Sequence, residues 1–445
     1  MSSAPKNLLV LYPGAVSFRQ REFARQRALL REAGLHTILA DDYLAESDAD
    51  VFDERLLLPP PEHVEEAWRR IERAFATRRV DAVLAQSEGA LLIGALACAR
   101  WGVPGVPARA ALWCTSKFLC RRELEHAGVP VPQFTLASSA AEARRFACEH
   151  GFPVVLKGVA SALGRLVTLV RDESELDLAV QRVRHGLQSS ADIQRLEEFA
   201  RIAGFELDCD PRRQFLVESF ARGAPVETDG LVVGATPHSF GVTGQVLSTP
   251  PRFFLEGYRL PDDRPPRELE EIERVSNAAI ETLGLRDTGF SIEMRHTPAA
   301  TSVIEVNGRL GSDEGFGDLF EAVLGAQPLA LALELARGLE PRIAPRTDVH
   351  AALAYATCYE DRVVASVPSD VELSAAATDG VTLGLAARVG ERYYAPPHPD
   401  VTPHLAFGLA RDPHSSARAY SRARAAVDRL RFELALPDAL ARTAR

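Results

Sequence analysis

The chain contains 445 residues, of which 46% are hydrophobic and 25% are charged, and its 51 basic and 61 acidic side chains give a formal charge of −10. This composition is typical of a soluble globular protein of two to four domains, and it excludes general disorder. The acidic balance gives no whole-chain attraction to nucleic acid or to an anionic membrane, and no apolar run reaches the roughly 18 to 20 residues that span a bilayer. We therefore expect neither partner.

Strand-like and helix-like patterns alternate over the first 110 residues, which is typical of an α/β architecture. The predicted strands are 7–12, 36–40 and 80–85, and the predicted helices are 17–33, 62–79 and 89–100. The apolar stretch 8–12 is too short for the core of a signal peptide and fits a first strand better. Turn residues at 102–107 close this unit, so a domain boundary is expected near residue 110.

The central part of the chain mixes hairpins with longer helices. Predicted helices lie at 116–127, 174–201, 268–283 and 319–337. Predicted strands lie at 151–157, 166–170, 214–220, 289–296 and 301–306, with antiparallel strands over 226–244. Residues 158–164 form a loop of small residues between two of these strands, and 252–266 is predicted to be a Pro-rich loop.

The last hundred residues have the pattern of a small α+β module. Strands are predicted at 351–359 and 380–389, followed by a closing helix at 415–434. The six cysteines of the whole chain form no CxxC pair and no metal-binding spacing. Reduced thiols in a cytoplasmic protein are therefore expected.

Only three basic residues are lysines, Lys6, Lys117 and Lys157, and the other 48 are arginines. A compact ammonium and a planar guanidinium bind their partners differently, so a lysine can make contacts that an arginine in the same place cannot. Lys117 and Lys157 are the two internal lysines. They are therefore candidates for a function that arginine cannot perform.

The most informative segment is a strand near residue 305 that carries polar side chains on one face. Strand geometry sends alternate side chains to the same side, so Glu305, Asn307 and Arg309 project together. A short turn at Pro298 places the preceding strand alongside and brings Glu293 close to Glu305. Two carboxylates and an amide oxygen suit Mg²⁺, and the arginine suits a phosphate. The same pattern also fits an ordinary strand pair with a solvated charged face.

These residues fall into a specific order once the two internal lysines are included. Lys117 ends Cys-Thr-Ser-Lys and precedes Gly-Val-Pro-Val-Pro at 128–132, and Lys157 ends Pro-Val-Val-Leu-Lys. A strand Phe-Leu-Val-Glu-Ser-Phe follows at 215–220, and then come Glu293 and the Glu-x-Asn-x-Arg run. In this order the sequence resembles the ATP-grasp superfamily over roughly residues 7 to 340. The tail, with His-Ala-Ala-Leu-Ala-Tyr at 350–355, looks like the C-terminal module of its L-amino acid ligase, dipeptide-forming branch.

The resemblance implies a mixed α/β and α+β chain. It predicts an ATP-grasp fold with an N-terminal Rossmann-like pre-ATP-grasp domain and a small C-terminal α+β module. The implied divisions are 1–110, 111–345 with a flexible lid at about 133–215, and 346–445.

The resemblance also implies that ATP lies between two antiparallel sheets. Lys117 and Lys157 would bind the phosphate groups. The hinge residues Glu218, Phe220 and Ala221 would border the adenine. Mg²⁺, expected as two ions for which Mn²⁺ can substitute, would be held by Glu293, Glu305 and Asn307. Arg309 would be the catalytic residue that stabilises the negative charge formed during the reaction.

The sequence departs from the family pattern at three places. The phosphate loop 158–164 is poorer in glycine than is usual, and a proline, Pro225, stands where a glutamate commonly holds the ribose; Glu227 is the substitute candidate. The substrate loop reads Glu256-Gly-Tyr258-Arg259-Leu-Pro, with tyrosine in the position of a histidine. These three side chains are expected to bind substrate.

A second candidate substrate segment, Leu-Gly-Ser-Asp-Glu, follows Arg309 directly. Ser312 and Asp313 would border the substrate together with Arg309, and the acidic side chains there would attract a cationic amine. The same residues also fit a solvated turn or the N-cap of the next helix.

The leading hypothesis is an ATP-dependent carboxylate–amine ligase that joins small molecules through an acyl phosphate and releases ADP and phosphate. An ATP-grasp carboxylase or purine-pathway type ligase and a non-catalytic ATP sensor remain alternatives. A dinucleotide dehydrogenase does not fit, because only Gly14 stands where a G-x-G-x-x-G turn is needed. A homodimer is an expectation from the family alone.

Overall fold

Apolar runs separated by turn residues build a parallel sheet at the start of the chain. The computed structural model describes residues 6–12, 27–31, 34–85, 87–161, 164–248, 254–377, 380–394 and 403–437. The first four strands are β1 (Asn7–Leu11), β2 (His36–Asp41), β3 (Glu54–Leu57) and β4 (Ala82–Ala85). They form a parallel sheet in the order β3-β2-β1-β4, which confirms the three predicted strands and adds β3. Residues 8–11 are fully buried, which explains a continuous apolar run instead of an alternating one.

Four helices follow the strands of this first unit: α1 (Val64–Ala74), α2 (Ala90–Trp101), α3 (Ala108–Thr115) and α4 (Lys117–His126). Ser116 caps α4, because its hydroxyl oxygen accepts a hydrogen bond from the backbone N–H of Leu119. Of the helix predicted at 17–33, residues 27–31 are helical, and most of the rest lies outside the described residues.

A four-stranded antiparallel sheet occupies the region predicted to be a lid. Its strands β5 (Phe134–Ala137), β6 (Val154–Gly158), β7 (Val167–Val170) and β8 (Phe215–Ser219) lie in the order β5-β8-β6-β7. The predicted hairpin around 158–164 is therefore confirmed. Three helices belong to the same stretch: α5 (Ala140–His150), α6 (Glu173–Gln188) and α7 (Ala191–Ala203). Residues 174–201, predicted to be mostly helical, are divided between α6 and α7, because Ser190 caps the second helix.

The described residues after Ser219 contain eleven strands. They are β9 (Ala224–Val233), β10 (Thr236–Leu247), β11 (Leu255–Leu260), β12 (Thr288–Thr297), β13 (Ala300–Asn307), β14 (His350–Thr357), β15 (Arg362–Ser366), β16 (Thr382–Leu385), β17 (Arg392–Tyr393), β18 (His404–Asp412) and β19 (Glu433–Ala435). Eight of them form one antiparallel sheet, the central sheet, in the order β13-β12-β9-β10-β11-β14-β18-β16. The loop predicted at 252–266 is wrong for residues 255–260, which form β11 inside this sheet. The division at residue 345 stays a prediction, although three strands beyond it continue the same sheet.

Helices cover both faces of the central sheet but leave part of one face to polar side chains. The helices are α8 (Pro266–Leu283), α9 (Phe316–Leu324), α10 (Pro328–Ala336), α11 (Asp370–Ala376) and α12 (Ser416–Val427). Buried residues of α8 pack with those of β9, β12 and β13 in one core, while α9 and α10 pack in a second core with residues of β10, β11, β14 and β18. The single helix predicted at 319–337 is wrong, because it breaks at 325–327. The predicted closing helix is confirmed, but it ends at Val427 and not at residue 434.

No single helix within the described ranges has both the length and the apolar composition needed to cross a bilayer. In the part of the chain that the structure describes, one helix pair, α9 with α10, meets that requirement when taken together, and the two helices are bent by 85° relative to each other.

Candidate active site

Lys117 stands at the first position of α4, where helix geometry leaves backbone N–H groups free and favours negative charge. Its backbone N–H donates to the carbonyl oxygen of Val159 in the phosphate loop, at 2.7 Å. Its buried ammonium lies 2.6 Å from Oε1 of Glu305. Burial opposes the charge, but the nearby Glu305 carboxylate outweighs it and raises the pKa of Lys117. The predicted phosphate lysine is therefore charged and in contact with a predicted metal ligand.

Lys157 lies on β6 and forms a second buried ion pair. Its Nζ is 2.6 Å from Oε2 of Glu218, whose Oε1 accepts a hydrogen bond from Nε of the fully buried Arg121 at 2.9 Å. Burial alone would raise the pKa of Glu218, but Arg121 and Lys157 lower it to about 2. Burial, together with Arg121 and Lys117, lowers the pKa of Lys157. Sequence reasoning missed Arg121, one of the many arginines in the chain.

The hinge strand β8 ends close to the ends of its neighbours. The backbone N–H of Ser219 donates to Gln133, and that of Phe220 donates to Pro153. The side chain of Glu218 faces Lys157 and Arg121, so only its backbone remains for an adenine. Phe220 and Ala221 are half-buried at the end of the strand.

Three glutamates form a row across neighbouring strands of the central sheet, which we call the acidic row: Glu305 on β13, Glu293 on β12 and Glu227 on β9. Glu305 pairs with Glu293, and Glu293 pairs with Glu227, in direct register. Residues that pair in this way share a face of the sheet. The predicted approach of Glu293 and Glu305 is thus confirmed. Burial and the charges of Glu305 and Glu227 raise the pKa of Glu293 to about 8.

Asn307 belongs to a second row beside the first. It pairs with Ser291, which in turn pairs with Asp229 on β9. Oδ1 of Asp229 accepts a hydrogen bond from the backbone N–H of Gly311 at 3.1 Å, and its Oδ2 has no hydrogen-bond donor among the described residues. Burial and Glu227 raise the pKa of Asp229 well above its usual value. Asp229 was not predicted as a site residue. Its position two residues after Glu227 on the same strand indicates that both side chains lie on one face of the sheet.

The expected role of Glu227 as a substitute ribose ligand is not supported by its position. Glu227 is buried within the acidic row, where its Oε1 accepts from Ser291 Oγ at 2.6 Å and its Oε2 accepts from Gln245 Nε2 at 2.9 Å. Both oxygens therefore already have donors. Pro225 lines a cavity instead, with Gln245 and two arginines, Arg259 and Arg295.

Arg309 follows β13 and turns toward the N-terminal unit. Its Nε donates to Oε2 of Glu88 at 3.1 Å, and its Nη1 donates to the carbonyl oxygen of Leu310. Burial opposes its charge, but Glu88 outweighs burial and raises the pKa of Arg309. Sequence reasoning missed Glu88. Its position just after β4 could have indicated a functional residue, because loops at the carboxyl ends of parallel strands commonly carry binding residues.

The first predicted substrate segment does not act as one group, because β11 separates its side chains. Tyr258 faces the acidic row side, where its hydroxyl donates to Oδ2 of Asp313 at 2.5 Å. Arg259 is the next residue along the strand; it lies 3.5 Å from Asp262 and lines the cavity next to α12. Glu256 accepts a hydrogen bond from the hydroxyl of Tyr359. The grouping of Arg259 with Tyr258 is therefore wrong, and the substrate role of Glu256 stays a prediction.

The second predicted substrate segment is a loop over 308–315. Ser312 is exposed on it, and Asp313 is held by Tyr258. Asp313 is not the N-cap of the next helix, because α9 begins after Gly315 and has no side-chain cap. Helix capping by Asp313 is therefore excluded, while the substrate role stays a prediction beside the reading of the loop as a solvated turn.

A histidine from the tail supports this loop. His404 on β18 stacks on Tyr355 with ring centroids 3.9 Å apart; its Nδ1 lies 3.2 Å from Oε2 of Glu314, and its Nε2 lies 3.0 Å from the carbonyl oxygen of Leu255. Both ring nitrogens thus face acceptors, which favours the doubly protonated ring. Burial opposes this charge, but Glu314 raises the pKa of His404.

The donor set fits Mg²⁺ bound together with phosphate groups. Glu293 and Glu305 lie side by side, and burial together with the charge of Glu305 raises the pKa of Glu293. No three His, Cys, Asp or Glu side chains in the described parts of the chain already form a metal cage. Mg²⁺ commonly binds through only one or two carboxylates, with phosphate oxygens and waters completing the shell.

Residues 114–198 match the family model of the RimK-like ATP-grasp domain. Among curated proteins, carnosine synthase 1 of Gallus gallus is 28% identical over 371 residues, which cover 79% of this chain and 37% of that protein. The glutamate–LysW ligase ArgX of Sulfurisphaera tokodaii is 26% identical over 138 residues, which cover 31% of this chain and 49% of that protein. The chain spans between 37% and 49% of the length of the curated relatives it matches.

Among solved structures, the L-amino acid ligase of Bacillus licheniformis superposes with a TM-score of 0.77 at 19% identity. The superposition covers 97% of this chain and 99% of that one. The similarity extends over nearly the whole chain and includes both antiparallel sheets. The chain therefore has the ATP-grasp fold, and its residues 114–198 are similar to the RimK-like ATP-grasp domain.

Proposed function

We propose that this chain is an ATP-dependent ligase that joins a small-molecule carboxylate to an amine, with an amino acid as at least one of the substrates. The observation that carries the proposal is the convergence of Lys117 and Lys157, each 2.6 Å from a glutamate, with the acidic row next to Lys117. The names of the relatives, a glutamate–LysW ligase, a carnosine synthase and an L-amino acid ligase, support the same class of reaction.

In this proposal ATP occupies the space between the lid sheet and the central sheet. Lys117 and Lys157 bind phosphate oxygens, because a compact ammonium acts as a point charge toward phosphate. The backbone of Glu218, Phe220 and Ala221 borders the adenine. The ion pairs with Glu305 and Glu218 keep both lysines in place before the nucleotide binds.

Glu293, Glu305 and Asn307 would hold Mg²⁺, and we propose two ions for which Mn²⁺ can substitute. A bound Mg²⁺ supplies positive charge that offsets the charge of the transferring phosphoryl group. Glu227 lies one strand away, where it reinforces the negative charge of the acidic row without giving up its own two donors.

The reaction needs no nucleophile from the protein. A substrate carboxylate oxygen attacks the γ-phosphorus, ADP leaves, and an acyl phosphate forms. The amine nitrogen then attacks the acyl carbon, phosphate leaves with the bonding electrons, and the nitrogen loses a proton as the amide forms. Arg309 lies beside the metal ligands, where its guanidinium stabilises the negative charge of both steps. Tyr258, Asp313 and Ser312 border the substrate.

The proposal includes the assembly and the location of the protein. We place it in the cytoplasm as a homodimer with small-molecule substrates. All six cysteines are free, which suits a reducing compartment. Light scattering on the purified chain tests the dimer, and a monomer at micromolar concentration would exclude it.

The deciding experiment is a phosphate-release screen over amino acids and small carboxylates, tested singly and in pairs with ATP and Mg²⁺, with product masses read by mass spectrometry. We expect a pair that releases phosphate and yields a product lighter by one water than the two substrates together. The variant Glu305→Gln should lower the rate by at least about 100-fold, in the range seen when a transition-state contact is removed.

Other outcomes would replace the proposal. Phosphate release triggered by bicarbonate or formate would indicate the carboxylase or purine-pathway type of chemistry. Nucleotide binding without phosphate release for any substrate pair would indicate an ATP sensor.

A further inference from the structure

Helix α7 connects the lid region to the N-terminal unit. The carboxylate of Glu198 on α7 accepts a hydrogen bond from the backbone N–H of Glu65 at 2.9 Å, and Gln194 Nε2 lies 3.2 Å from Nδ1 of His63. Arg201 forms an ion pair with the side chain of Glu65. The inner face of α7 is buried in the same core as α1 and α2. The lid region is thus joined to the rest of the chain at a second place besides the hinge strand.

A series of alternating charges runs along this junction, which we call the charge chain: Arg165, Asp192, Arg195, Glu88 and Arg309. Arg165 forms two hydrogen bonds to Asp192, at 3.0 and 3.1 Å, and Asp192 Oδ1 is 3.1 Å from Arg195. Arg195 lies 3.8 Å from Oε1 of Glu88, and Glu88 Oε2 lies 3.1 Å from Arg309. Arg165 follows the phosphate loop, and Arg309 is the proposed catalytic residue. The charge chain therefore runs from one to the other.

Burial makes these contacts depend on one another. The side chains of Asp192 and Arg195 are 4% and 7% exposed, and those of Arg309 and Glu88 are 17% and 27% exposed. A charge in such surroundings needs an opposite charge, and removing one member leaves its neighbour buried without a counter-charge. Burial alone would raise the pKa of Glu88, but Arg309 and Arg195 outweigh it and lower the pKa. Glu88 is thus held as a carboxylate between one cation from the lid region and one from the proposed active site.

From this geometry we infer that Glu88 is a positioning residue for Arg309 and that Arg195 links Glu88 to the lid region. The order of the phosphate loop and the orientation of Arg309 therefore depend on each other. The inference rests on the proposed function for the role of Arg309. It gives the N-terminal unit a task beyond packing, because Glu88 comes from the loop after β4.

The first test compares Glu88→Gln and Arg195→Gln with Arg201→Gln as a matched control. Arg201 lies on the same helix and also pairs with the N-terminal unit, but its side chain is 58% exposed and lies outside the charge chain. The readout is hydrogen exchange of the backbone over residues 154–161 and 164–170 in the free protein, so it needs no substrate. We expect Arg195→Gln to raise the exchange rates in these residues by about threefold or more, and Arg201→Gln to leave them unchanged. Equal exchange in the two variants would overturn the inference.

The second test uses turnover, once a substrate pair is known. Glu88→Gln should lower kcat by about 10- to 100-fold, in the range seen when a supporting contact of a functional residue is lost, while the Kd for ATP changes by less than about threefold. Arg195→Gln should lower kcat in the same direction. The double variant should lose no more than the worse single variant, because both substitutions break one connected series.

Strictly additive losses, or wild-type kcat in Glu88→Gln, would contradict the coupling. If Glu88→Gln does not fold, Glu88→Asp decides the question: the shortened carboxylate cannot reach both guanidiniums, so kcat should fall while the melting temperature stays near that of wild type. A changed exchange pattern without any active substrate pair would contradict the proposed ligase but not the charge chain.

Discussion

At the scale of single residues, the pair of Lys157 and Glu218 explains why a lysine was needed at this place. The ammonium of Lys157 lies within 2.6 Å of the carboxylate, and the guanidinium of Arg121 already occupies the other oxygen. A second planar guanidinium beside Arg121 would need more space and a different approach to a phosphate. The rarity of lysine in the sequence is consistent with this requirement, although rarity alone does not establish it.

We expect Lys157→Arg to lower kcat by about 100-fold or more, comparable with the loss of a preorganised charge contact, while the melting temperature changes by only a few degrees. The reverse exchange Arg171→Lys is a matched control, because Arg171 forms an exposed ion pair with Glu175 in the same lid region. Steady-state kinetics and thermal unfolding of both variants check the prediction. Wild-type turnover in Lys157→Arg would remove the assignment of Lys157 to the phosphates.

Glu218 should make stability depend on pH. Its folded-state pKa of about 2 lies below the usual 4.5, so its contribution is fully present above about pH 4.5 and is lost as the pH falls toward 2. Glu218→Gln leaves Arg121 and Lys157 without a counter-charge and should cost about 3–5 kcal/mol in the free energy of unfolding at pH 7. The difference from wild type should shrink between pH 4.5 and 2, as measured by urea unfolding. A difference that stays constant over this pH range would contradict the pairing.

At the scale of elements, the acidic row depends on the register of three strands. Direct pairing of β13 with β12 and of β12 with β9 places Glu305, Glu293 and Glu227 on one face. A slip by one residue in any of these strands would send its glutamate to the α8 side of the sheet. The row is therefore a product of strand pairing and not of any single motif.

The acidic row predicts that Mg²⁺ with ADP stabilises the protein. We expect Mg²⁺ and ADP together to raise the melting temperature by about 2–5 °C, and chelation with EDTA to remove the part of the rise that Mg²⁺ provides. Glu305→Gln should lose that part, whereas Glu281→Gln, an exposed position on α8, should keep it. A Mg²⁺-dependent rise that persists in Glu305→Gln would contradict the metal assignment.

Strand β9 also supports the substrate loop through Asp229 and Gly311. Asp229→Asn keeps an oxygen for the N–H of Gly311, whereas Asp229→Ala leaves that N–H buried without an acceptor, at a cost of about 1–3 kcal/mol. Gly311→Ala should be worse than Asp229→Asn, because a Cβ there would lie 2.2 Å from the ring of Phe316. Urea unfolding and the KM for substrate check this order. Equal effects of Asp229→Asn and Asp229→Ala would contradict the role as a support.

At the scale of the whole molecule, the tail is part of the central sheet. Strand β14 pairs with β11, which carries Tyr258, and β18 brings His404 to Glu314. Leu353 and Phe407 from these strands are fully buried in the core that contains α9 and α10.

We therefore expect a chain ending at residue 345 to be insoluble or to unfold without cooperativity, because β11 would become an open edge and this core would lose one side. Far-ultraviolet circular dichroism during heating and size-exclusion chromatography check this expectation. Cooperative unfolding of the shortened chain, with ADP binding retained, would show that the tail is an independent module.

Many features of the fold and of the candidate site could be predicted from local sequence patterns. Period-two alternation and the turn at Pro298 predicted the meeting of Glu293 and Glu305, and the order of the lysines and glutamates predicted the ATP-grasp fold. Lys117 and Lys157 contact glutamates that lie 188 and 61 residues further along the chain. These contacts could not be predicted from the sequence, because they depend on how two sheets and α4 are placed in space.

The sequence by itself determined most of the elements, their order and the residue types of the candidate site, because periodicity and turn chemistry act over short distances along the chain. It did not predict β3 or β11, or the break between α9 and α10. Only the tertiary structure decided which charges meet. Glu227, expected to bind the ribose, lies in the acidic row. Arg259 and Tyr258 lie on opposite faces of β11. Glu88 contacts Arg309, which is 221 residues further along the chain. The physical reason is that a buried charge is stable only beside an opposite charge, and that partner can come from any part of the chain.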